Sequence, residues 1–203
     1  MEKLVTSQPK PHLTPEEYLA IERKAGAKSE YLRGEMFAMS GVSRHHVRIV
    51  TNLIAELDTQ LRDRPCDVFS TDLRTKVSPV GLYTYPDVIV VCGEARFEDQ
   101  HVDTLLNPTL IIEVLSDSTE AYDRGEKFGY YRTLESLTEY VLVSQRECRI
   151  EQFVRGESGQ WIFSECNDPA GALQLRSIDC RLQSSRVYHR VDFPQPSSVD
   201  RHE

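Results

Sequence analysis

The chain has 203 residues, of which 39% are apolar, and its 24 basic and 32 acidic side chains give a formal net charge of −8. Its longest apolar runs are far shorter than the ~20 residues that a membrane-spanning helix needs, so the sequence predicts no membrane span. The acidic balance argues against indiscriminate nucleic-acid binding, because phosphates must be met by a basic patch or a bound metal ion.

The start of the chain is polar and lacks an apolar stretch before a cleavage site, so we expect a cytoplasmic location. We interpret residues 13–190 as a single domain, preceded by a tail at 1–12 and followed by a mobile, Pro/Ser-rich tail at 191–203. The five cysteines are widely spaced and form no Cys-x-x-Cys pair. This pattern predicts that most of the cysteines are reduced core residues and argues against a zinc ribbon or a disulfide framework.

The first predicted elements are a short helix and a hairpin. Thr14 and Glu17 have the spacing of a capping box, with a proline between them at the first helical position. Residues 29–32 and 35–39 are strand-like and flank the pair Arg33-Gly34, in which glycine permits the positive φ of a hairpin turn.

A long amphipathic helix is predicted after Ser43, a plausible N-cap, and should end before Pro65. Apolar residues recur there at spacings of three and four, which is the period of one helix face. The predicted face consists of Val47, Val50, Leu53, Ile54, Leu57 and Leu61.

The centre of the chain predicts three strands, a helix and a further strand. The strands cover residues 66–77, 83–92 and 109–115, the helix covers 121–134, and the next strand covers 140–143. Two later segments, 149–154 and 161–164, form a predicted antiparallel pair. This order predicts an α/β fold in which helices cover a mixed central sheet.

Glu113 is the most informative residue, because it lies inside the apolar strand 110–115. An ionised, unpaired carboxylate in a core costs several kcal/mol, so this residue needs a cation, a proton or a metal ion. The alternative is a strand-end glutamate that turns to solvent or pairs with an arginine.

Asp87 lies at the start of the other continuously apolar strand, in the stretch 83–91. By itself it is typical of a turn. Carboxylates on neighbouring central strands can converge, however, and an all-oxygen site suits a hard divalent cation. Together, Asp87 and Glu113 predict a site for Mg²⁺ or Mn²⁺.

Glu113 follows the pair Pro86-Asp87 by 113 − 87 = 26 positions. This spacing, together with the predicted order of helices and strands, resembles the PD-(D/E)XK nuclease superfamily. The chain more closely resembles a bacterial restriction-endonuclease-like family in several stretches, namely 28–35, 85–88, 112–116, 118–119 and 122–124 with Lys127. The resemblance covers roughly residues 13–161. It implies a restriction-endonuclease-like α-β-β-β-α-β core with an N-terminal helix and hairpin, a divalent metal ion, and nucleic acid, DNA rather than RNA, as partner.

The superfamily motif places a lysine two residues after the strand glutamate, where this chain has Leu115. The family resemblance implies that Lys127, on the following helix, takes its place. A lysine beside the scissile phosphate can position water, assist its deprotonation or neutralise developing charge. The alternative is a helical i, i+4 ion pair between Asp123 and Lys127. Tyr131, one turn later, either orients Lys127 or packs.

Two further candidates lie upstream. His46 shares the apolar stripe of its helix and should face the sheet, where it would contact a phosphate or a metal-bound water, or act as a neutral core or capping residue. Glu30 lies in a stretch that carries the family resemblance and either adds a third carboxylate to the metal site or lies on the hairpin surface.

The leading hypothesis is a metal-dependent endonuclease. Its candidate catalytic residues are Asp87, Glu113, Lys127 and His46, and its candidate metal ligands are Asp87, Glu113 and Glu30. A non-catalytic nucleic-acid or protein-binding module with the same fold is the alternative, and a small-molecule hydrolase or lyase is a third.

Basic residues offer a phosphate-facing rim or are scattered solvated charges, namely Arg44, His45, His46, Arg48, Arg74 and Lys76. A homodimer, paired through the hairpin edge at 35–39, is an open alternative to a monomer.

Overall fold

The computed structural model describes residues 12–193. The N-terminal half contains α1 (Pro15–Glu22), β1 (Ser29–Leu32), β2 (Glu35–Ala38), α2 (Arg44–Leu61), β3 (Cys66–Ser70), β4 (Arg74–Val77), β5 (Leu82–Thr84) and β6 (Val88–Cys92). The C-terminal half contains β7 (Thr104–Leu105), β8 (Leu110–Leu115), α3 (Glu120–Tyr122), a π-helical segment (Asp123–Lys127), α4 (Phe128–Tyr131), β9 (Glu139–Ser144), β10 (Ile150–Arg155), β11 (Trp161–Cys166), β12 (Ala172–Leu175), β13 (Cys180–Gln183) and α5 (Ser184–Val187). In this part of the chain, no helix is long and apolar enough to cross a bilayer.

The strands form a six-stranded mixed sheet, a five-stranded sheet and a small hairpin. The order in the larger sheet is β11-β10-β9-β8-β6-β3, and only the β8–β9 pair is parallel. The second sheet has the order β2-β1-β5-β4-β7, and β12 pairs with β13. The predicted fold class, a mixed α/β sheet flanked by helices, is confirmed.

Helices cover both faces of the larger sheet, and the alternation of side chains along β8 decides which residue meets which helix. Leu110, Ile112 and Val114 pack in one cluster with the apolar face of α2. Ile111 and Leu115 pack in the other cluster with Phe128 and Tyr131 of α4. Glu113 lies between Ile111 and Leu115 and therefore faces α4.

Two predicted strands were each wrong as single elements, because the chain crosses from one sheet to the other within them. The segment 66–77 divides into β3 in the six-stranded sheet and β4 in the five-stranded sheet. The segment 83–92 divides into β5 and β6, with Tyr85, Pro86 and Asp87 between them. In the second segment both β5 and β6 are largely apolar, so hydrophobic pattern alone does not reveal that crossing.

Helix boundaries follow the predicted caps, with one error of face. Thr14 and Glu17 form the capping box, and Ser43 caps α2 by accepting from the backbone N–H of His46. Val47 was predicted on the apolar face but is 53% exposed, whereas Ile49 is fully buried. The buried face of α2 is therefore rotated towards Ile49.

Three of the five cysteines are free, in line with the prediction that most are reduced, but the other two form a disulfide that was not expected. Cys66 on β3 and Cys92 on β6 are direct cross-strand partners and form a disulfide. Cys148, Cys166 and Cys180 are free thiols. A cross-strand pair of this kind has no sequence motif, because its partners are 26 residues apart.

The predicted tails lie mostly outside the described residues, which exclude 1–11 and 194–203. The described part of the C-terminal segment is packed: Val191 is buried, and the Phe193 ring lies 5.0 Å from that of Tyr188.

Candidate functional site

Asp87 occupies the point where the chain passes between the two sheets. Pro86 precedes it and lacks a backbone N–H, which fits a position outside both hydrogen-bond ladders. Asp87 Oδ2 accepts from the backbone N–H of Val114 at 2.8 Å, and Oδ1 lies 2.9 Å from His46 Nε2. The carboxylate is thus held against β8 on one side and α2 on the other.

Glu113 lies beside Asp87, with only 3% of its surface exposed. Its Oε1 accepts from Tyr131 OH at 2.8 Å and lies 3.0 Å from Lys127 Nζ, while Oε2 accepts from the backbone N–H of Asp87 at 3.3 Å. Burial, together with the charges of Asp87 and Asp123 and against the opposing pull of Lys127, raises the pKa of Glu113 to about 8. The carboxyl group therefore holds a proton at neutral pH unless a cation replaces it.

Lys127 lies at the end of the π-helical segment and is buried among carboxylates. Its Nζ lies 3.0 Å from Glu113, 3.2 Å from Glu30 and 3.5 Å from Asp123. Although burial lowers the pKa of Lys127, the neighbouring acidic groups hold it well above its usual range, and Glu113 does so most strongly when it is ionised. The i, i+4 pair with Asp123 exists, but it is part of a buried cluster rather than a surface pair.

The π-helical segment is anchored from the sheet. Tyr140 OH on β9 donates to the backbone carbonyl of Asp123 at 3.0 Å, and the Phe128 ring stacks on Tyr140 at 4.8 Å. Short π-helical turns within α-helices occur frequently at functional sites. This segment carries both Asp123 and Lys127 to the same cluster.

His46 is buried in the first turn of α2, as its place on the helix predicts, whereas His45 is half-buried. Its Nε2 contacts Asp87, and within residues 12–193 its buried Nδ1 has no hydrogen-bond partner. An unpaired buried nitrogen is a polar group that a ligand or a water molecule can satisfy.

Glu30 reaches the cluster from the five-stranded sheet. It lies on β1, accepts a hydrogen bond from the Thr84 hydroxyl of β5, and contacts Lys127. Lys127 therefore links carboxylates that belong to two different sheets. The structure brings together Asp87, Glu113, Lys127, His46 and Glu30, while their catalytic and metal-binding roles remain predictions.

These five residues line one cavity of about 410 Å³. A second cavity of about 380 Å³ adjoins it and shares residues 39–42 with it, together with His46 and Asp87. Asp123 also lines the first cavity, so four carboxyl groups of the cluster share a single lysine there, while a fifth lining carboxylate, Asp117, pairs with Arg146. A buried excess of negative charge is costly and favours the binding of a cation.

The donor chemistry fits a hard divalent cation, although no cage is preformed. Within residues 12–193, no three His, Cys, Asp or Glu side chains are placed so that they could hold one metal ion. Mg²⁺ does not require such a cage, because it is commonly bound by one or two carboxylates and completes its shell with water and substrate phosphate. Asp87 and Glu113 supply two such carboxylates.

The predicted basic rim was wrong at two positions, because Arg74 and Lys76 already have partners. Arg74 is buried and donates to Tyr85 OH at 3.0 Å and to Thr104 Oγ1 at 3.0 Å. Lys76 forms an ion pair with Glu98.

Two members of the cluster were undervalued from the sequence. Tyr131 contacts the metal-ligand candidate Glu113 rather than only packing, and Asp123 is a buried member of the site. The spacing from Asp123 to Lys127 to Tyr131, one helical turn each, is the signal that could have placed all three on one face.

Known proteins are similar to this chain over most of its length. A family model, Uma2, with the description "Putative restriction endonuclease", matches residues 15–185. The chain is 39% identical over 153 residues to "Uncharacterized protein sll1609" of Synechocystis sp., which covers 75% of this chain and 86% of that protein. It is 34% identical over 187 residues to "Uncharacterized protein slr1290" of the same organism, covering 92% and 97%.

A solved structure has the same fold. It is the crystal structure of a "putative nuclease belonging to DUF820" from Anabaena variabilis, which superposes with a TM-score of 0.70 over 87% of this chain and 97% of that chain. The sequence identity is 16%, so this likeness shows the fold alone.

Proposed function

Because the chain belongs to the Uma2 family, whose description is "Putative restriction endonuclease", we propose that it is a metal-dependent endonuclease that hydrolyses phosphodiester bonds of DNA. The observation that carries the proposal is the convergence of Asp87, Glu113 and Lys127 in one cavity. Two carboxylates and a lysine are parts that a metal-assisted phosphodiesterase can use, and here the Glu113 carboxyl group contacts both Lys127 Nζ and the backbone N–H of Asp87.

The proposed ligands of Mg²⁺ or Mn²⁺ are Asp87 and Glu113, and Glu30 remains a predicted third ligand. When bound, the metal ion would polarise the phosphoryl oxygen, lower the pKa of a water molecule and stabilise the leaving oxyanion. The proton on Glu113 must leave before this carboxylate can serve as a ligand, because its pKa of about 8 keeps it neutral at pH 7.

Lys127 acts in this proposal as a fixed positive charge. Its raised pKa keeps it protonated, so it cannot serve as a general base at neutral pH. It can neutralise the charge that develops on the phosphate and can orient the attacking water. His46 fixes the Asp87 carboxylate through its Nε2 contact, and Tyr131 fixes Glu113 through its hydroxyl.

The test is a cleavage assay with single- and double-stranded DNA and RNA, in Mg²⁺, in Mn²⁺ and in chelator. We expect cleavage of DNA only with metal. Lys127→Met should lower its rate by orders of magnitude, because a contact to transition-state charge is lost. If that variant does not fold, Lys127→Arg is the second test, because it retains the positive charge but replaces the compact ammonium group by a planar guanidinium. Lys76→Met is the matched control, since Lys76 pairs with Glu98 outside the two cavities.

A non-catalytic binding module is the second candidate, favoured by Leu115 at the usual lysine position and by the lack of a preformed three-ligand group among residues 12–193. Its expected result is binding of nucleic acid or a protein without cleavage of any substrate in either metal. Full activity of Lys127→Met would contradict the role proposed for the lysine.

A further inference from the structure

An exposed aromatic ring lies directly beside the carboxylate cluster. Phe37 on β2 is the cross-strand partner of Glu30 on β1, so their side chains leave the same face of the hairpin. Glu30 in turn lies 3.2 Å from Lys127 Nζ. One cross-strand step therefore separates the Phe37 ring from the proposed chemistry.

The Phe37 side chain is not part of the core. Phe37 is 48% exposed and lines the same cavity as Asp87, Glu113 and Lys127. Within residues 12–193 its ring is in contact with no other aromatic ring, whereas Phe163, which is exposed to a similar degree on β11, packs against Phe153. Carboxyl groups and a lysine line one part of this cavity, and an exposed apolar ring beside them is suited to a ligand that is flat and apolar on its faces.

The size of the cavity suits a single nucleotide. Its volume of about 410 Å³ lies within the range of roughly 300–1,000 Å³ that is typical of pockets for drug-sized ligands. A nucleotide is a ligand of that size, whereas a stacked duplex is not. A base can reach such a cavity only from a single strand or after leaving the duplex stack.

Two cations near this cavity are available for a strand. Arg44 and Arg48 lie one turn apart at the start of α2, and within residues 12–193 neither guanidinium takes part in a hydrogen bond or an ion pair. Ser43, next to Arg44, and Val47, next to Arg48, each line one of the two adjoining cavities. Phosphates on either side of the bound nucleotide would find these charges nearby.

From this geometry we infer that Phe37 is a stacking platform for a nucleobase next to the scissile phosphate, so that the site takes single-stranded or locally unpaired nucleic acid. The inference rests on the proposed function for the identity of the substrate. It adds a specificity-determining residue and a strand preference. Base–aromatic stacking tolerates every base, so no sequence specificity follows from it.

The test is a double-mutant cycle in which the Phe37 ring is removed from the protein and the bases are removed from the DNA strand. A short fluorescein-labelled oligothymidylate and a strand of the same length in which every nucleotide is abasic are titrated by anisotropy in Ca²⁺, with gels to verify that the strands stay intact. The proteins are the parent, Phe37→Ala, Phe37→Trp and the control Phe163→Ala.

For the intact strand, Phe37→Ala should weaken binding by roughly 5- to 150-fold, which is about 1–3 kcal/mol for one stacked base. The fully abasic strand should bind the parent with at least a similar loss, and Phe37→Ala should add nothing to that loss. Phe37→Trp should restore binding, and Phe163→Ala should match the parent. Duplex DNA of the same length should bind more weakly than the single strand.

Equal losses for the intact and the abasic strands would overturn the inference, since Phe37 would then not contact a base. Equal affinity of Phe37→Ala and the parent would do the same. A parent dimer that dissociates in Phe37→Ala, measured by analytical ultracentrifugation, would assign the ring to a contact between copies of the chain instead. Binding and cleavage are measured separately. Base-dependent binding without cleavage would support the stacking role of Phe37 and contradict the proposed nuclease activity. Cleavage that is unaffected by Phe37→Ala would support the nuclease activity and contradict the stacking role.

Discussion

Glu113 and Glu139 are buried glutamates on the two parallel strands β8 and β9, and only one of them belongs to a candidate site. Both are almost inaccessible, at 3% and 0% exposure. Glu139 is saturated by neutral donors: Gln152 Nε2, the backbone N–H of Ser177 at 3.0 Å, and the Ser177 hydroxyl. Neither cavity includes it.

Glu113 has the opposite surroundings, because it shares its environment with three more carboxyl groups and a lysine, and it borders a cavity. Burial of a carboxylate is therefore not the mark of a site. A functional site is indicated instead by several acidic groups that lie beside a cavity and are only partly compensated by cations. Such a cluster costs stability and favours the binding of a cation. The predictions below separate these two kinds of buried glutamate.

The largest contrast is expected in metal binding. Asp87→Asn and Glu113→Gln should each weaken Mn²⁺ binding by about 100-fold or more, because an amide retains the shape and removes the charge that the ion needs. Glu139→Gln is the matched control and should bind Mn²⁺ like the parent. Isothermal titration calorimetry measures the three affinities, and unchanged affinity in both site variants would remove Asp87 and Glu113 from the metal site.

The second contrast concerns stability in chelator at pH 7. Glu139→Ala should lower the free energy of unfolding by about 3 kcal/mol, because buried donors of Gln152 and Ser177 lose their acceptor. Glu113→Gln should change it by less than about 1 kcal/mol, because the parent residue is already neutral there. Denaturant titration gives both values. A larger loss for Glu113→Gln than for Glu139→Ala would reverse the assignment.

The third contrast concerns pH. Since the metal ion must displace a proton from Glu113, Mn²⁺ affinity should fall about tenfold per pH unit below pH 8 and level off above it. In chelator the sign is opposite. The pKa of Glu113 rises from 4.5 in the unfolded chain to about 8, so its contribution destabilises the fold increasingly as pH rises through that window. Glu139→Gln should retain both profiles, and a flat affinity profile would contradict the raised pKa.

The smallest effect is expected from Tyr131→Phe. Its hydroxyl donates to Glu113 and stabilises the ionised carboxylate, so the loss should raise the pKa of Glu113 further. Mn²⁺ binding at pH 7 should weaken by up to about tenfold, which corresponds to the ~1.5 kcal/mol of one hydrogen bond. Calorimetry at pH 7 and pH 9 checks this, since the deficit should shrink at the higher pH. An equal deficit at both values would indicate a packing defect.

Much of the fold could be predicted from sequence, because caps, hydrophobic period and strand order are local signals. The crossing of the chain between sheets at Asp87 could not, since apolar residues occur on both sides of it. The inference that a carboxylate in an apolar strand marks a functional site applies equally to Glu113 and to Glu139, which begins the run 139–143. Sequence does not separate the two, because saturation by Gln152 and Ser177 depends on residues brought together by folding.

The disulfide between Cys66 and Cys92 closes a loop of 26 residues that contains Asp87. A cross-link of that span removes chain entropy from the unfolded state worth roughly 3.5 kcal/mol, on the loop-closure estimate. The segment that carries one of the two proposed metal ligands is thus tied to the thiol–disulfide balance of its surroundings. In a reducing medium the two cysteines would become thiols and the segment would lose this constraint. Metal affinities of different preparations are therefore comparable only when the disulfide has the same oxidation state in each.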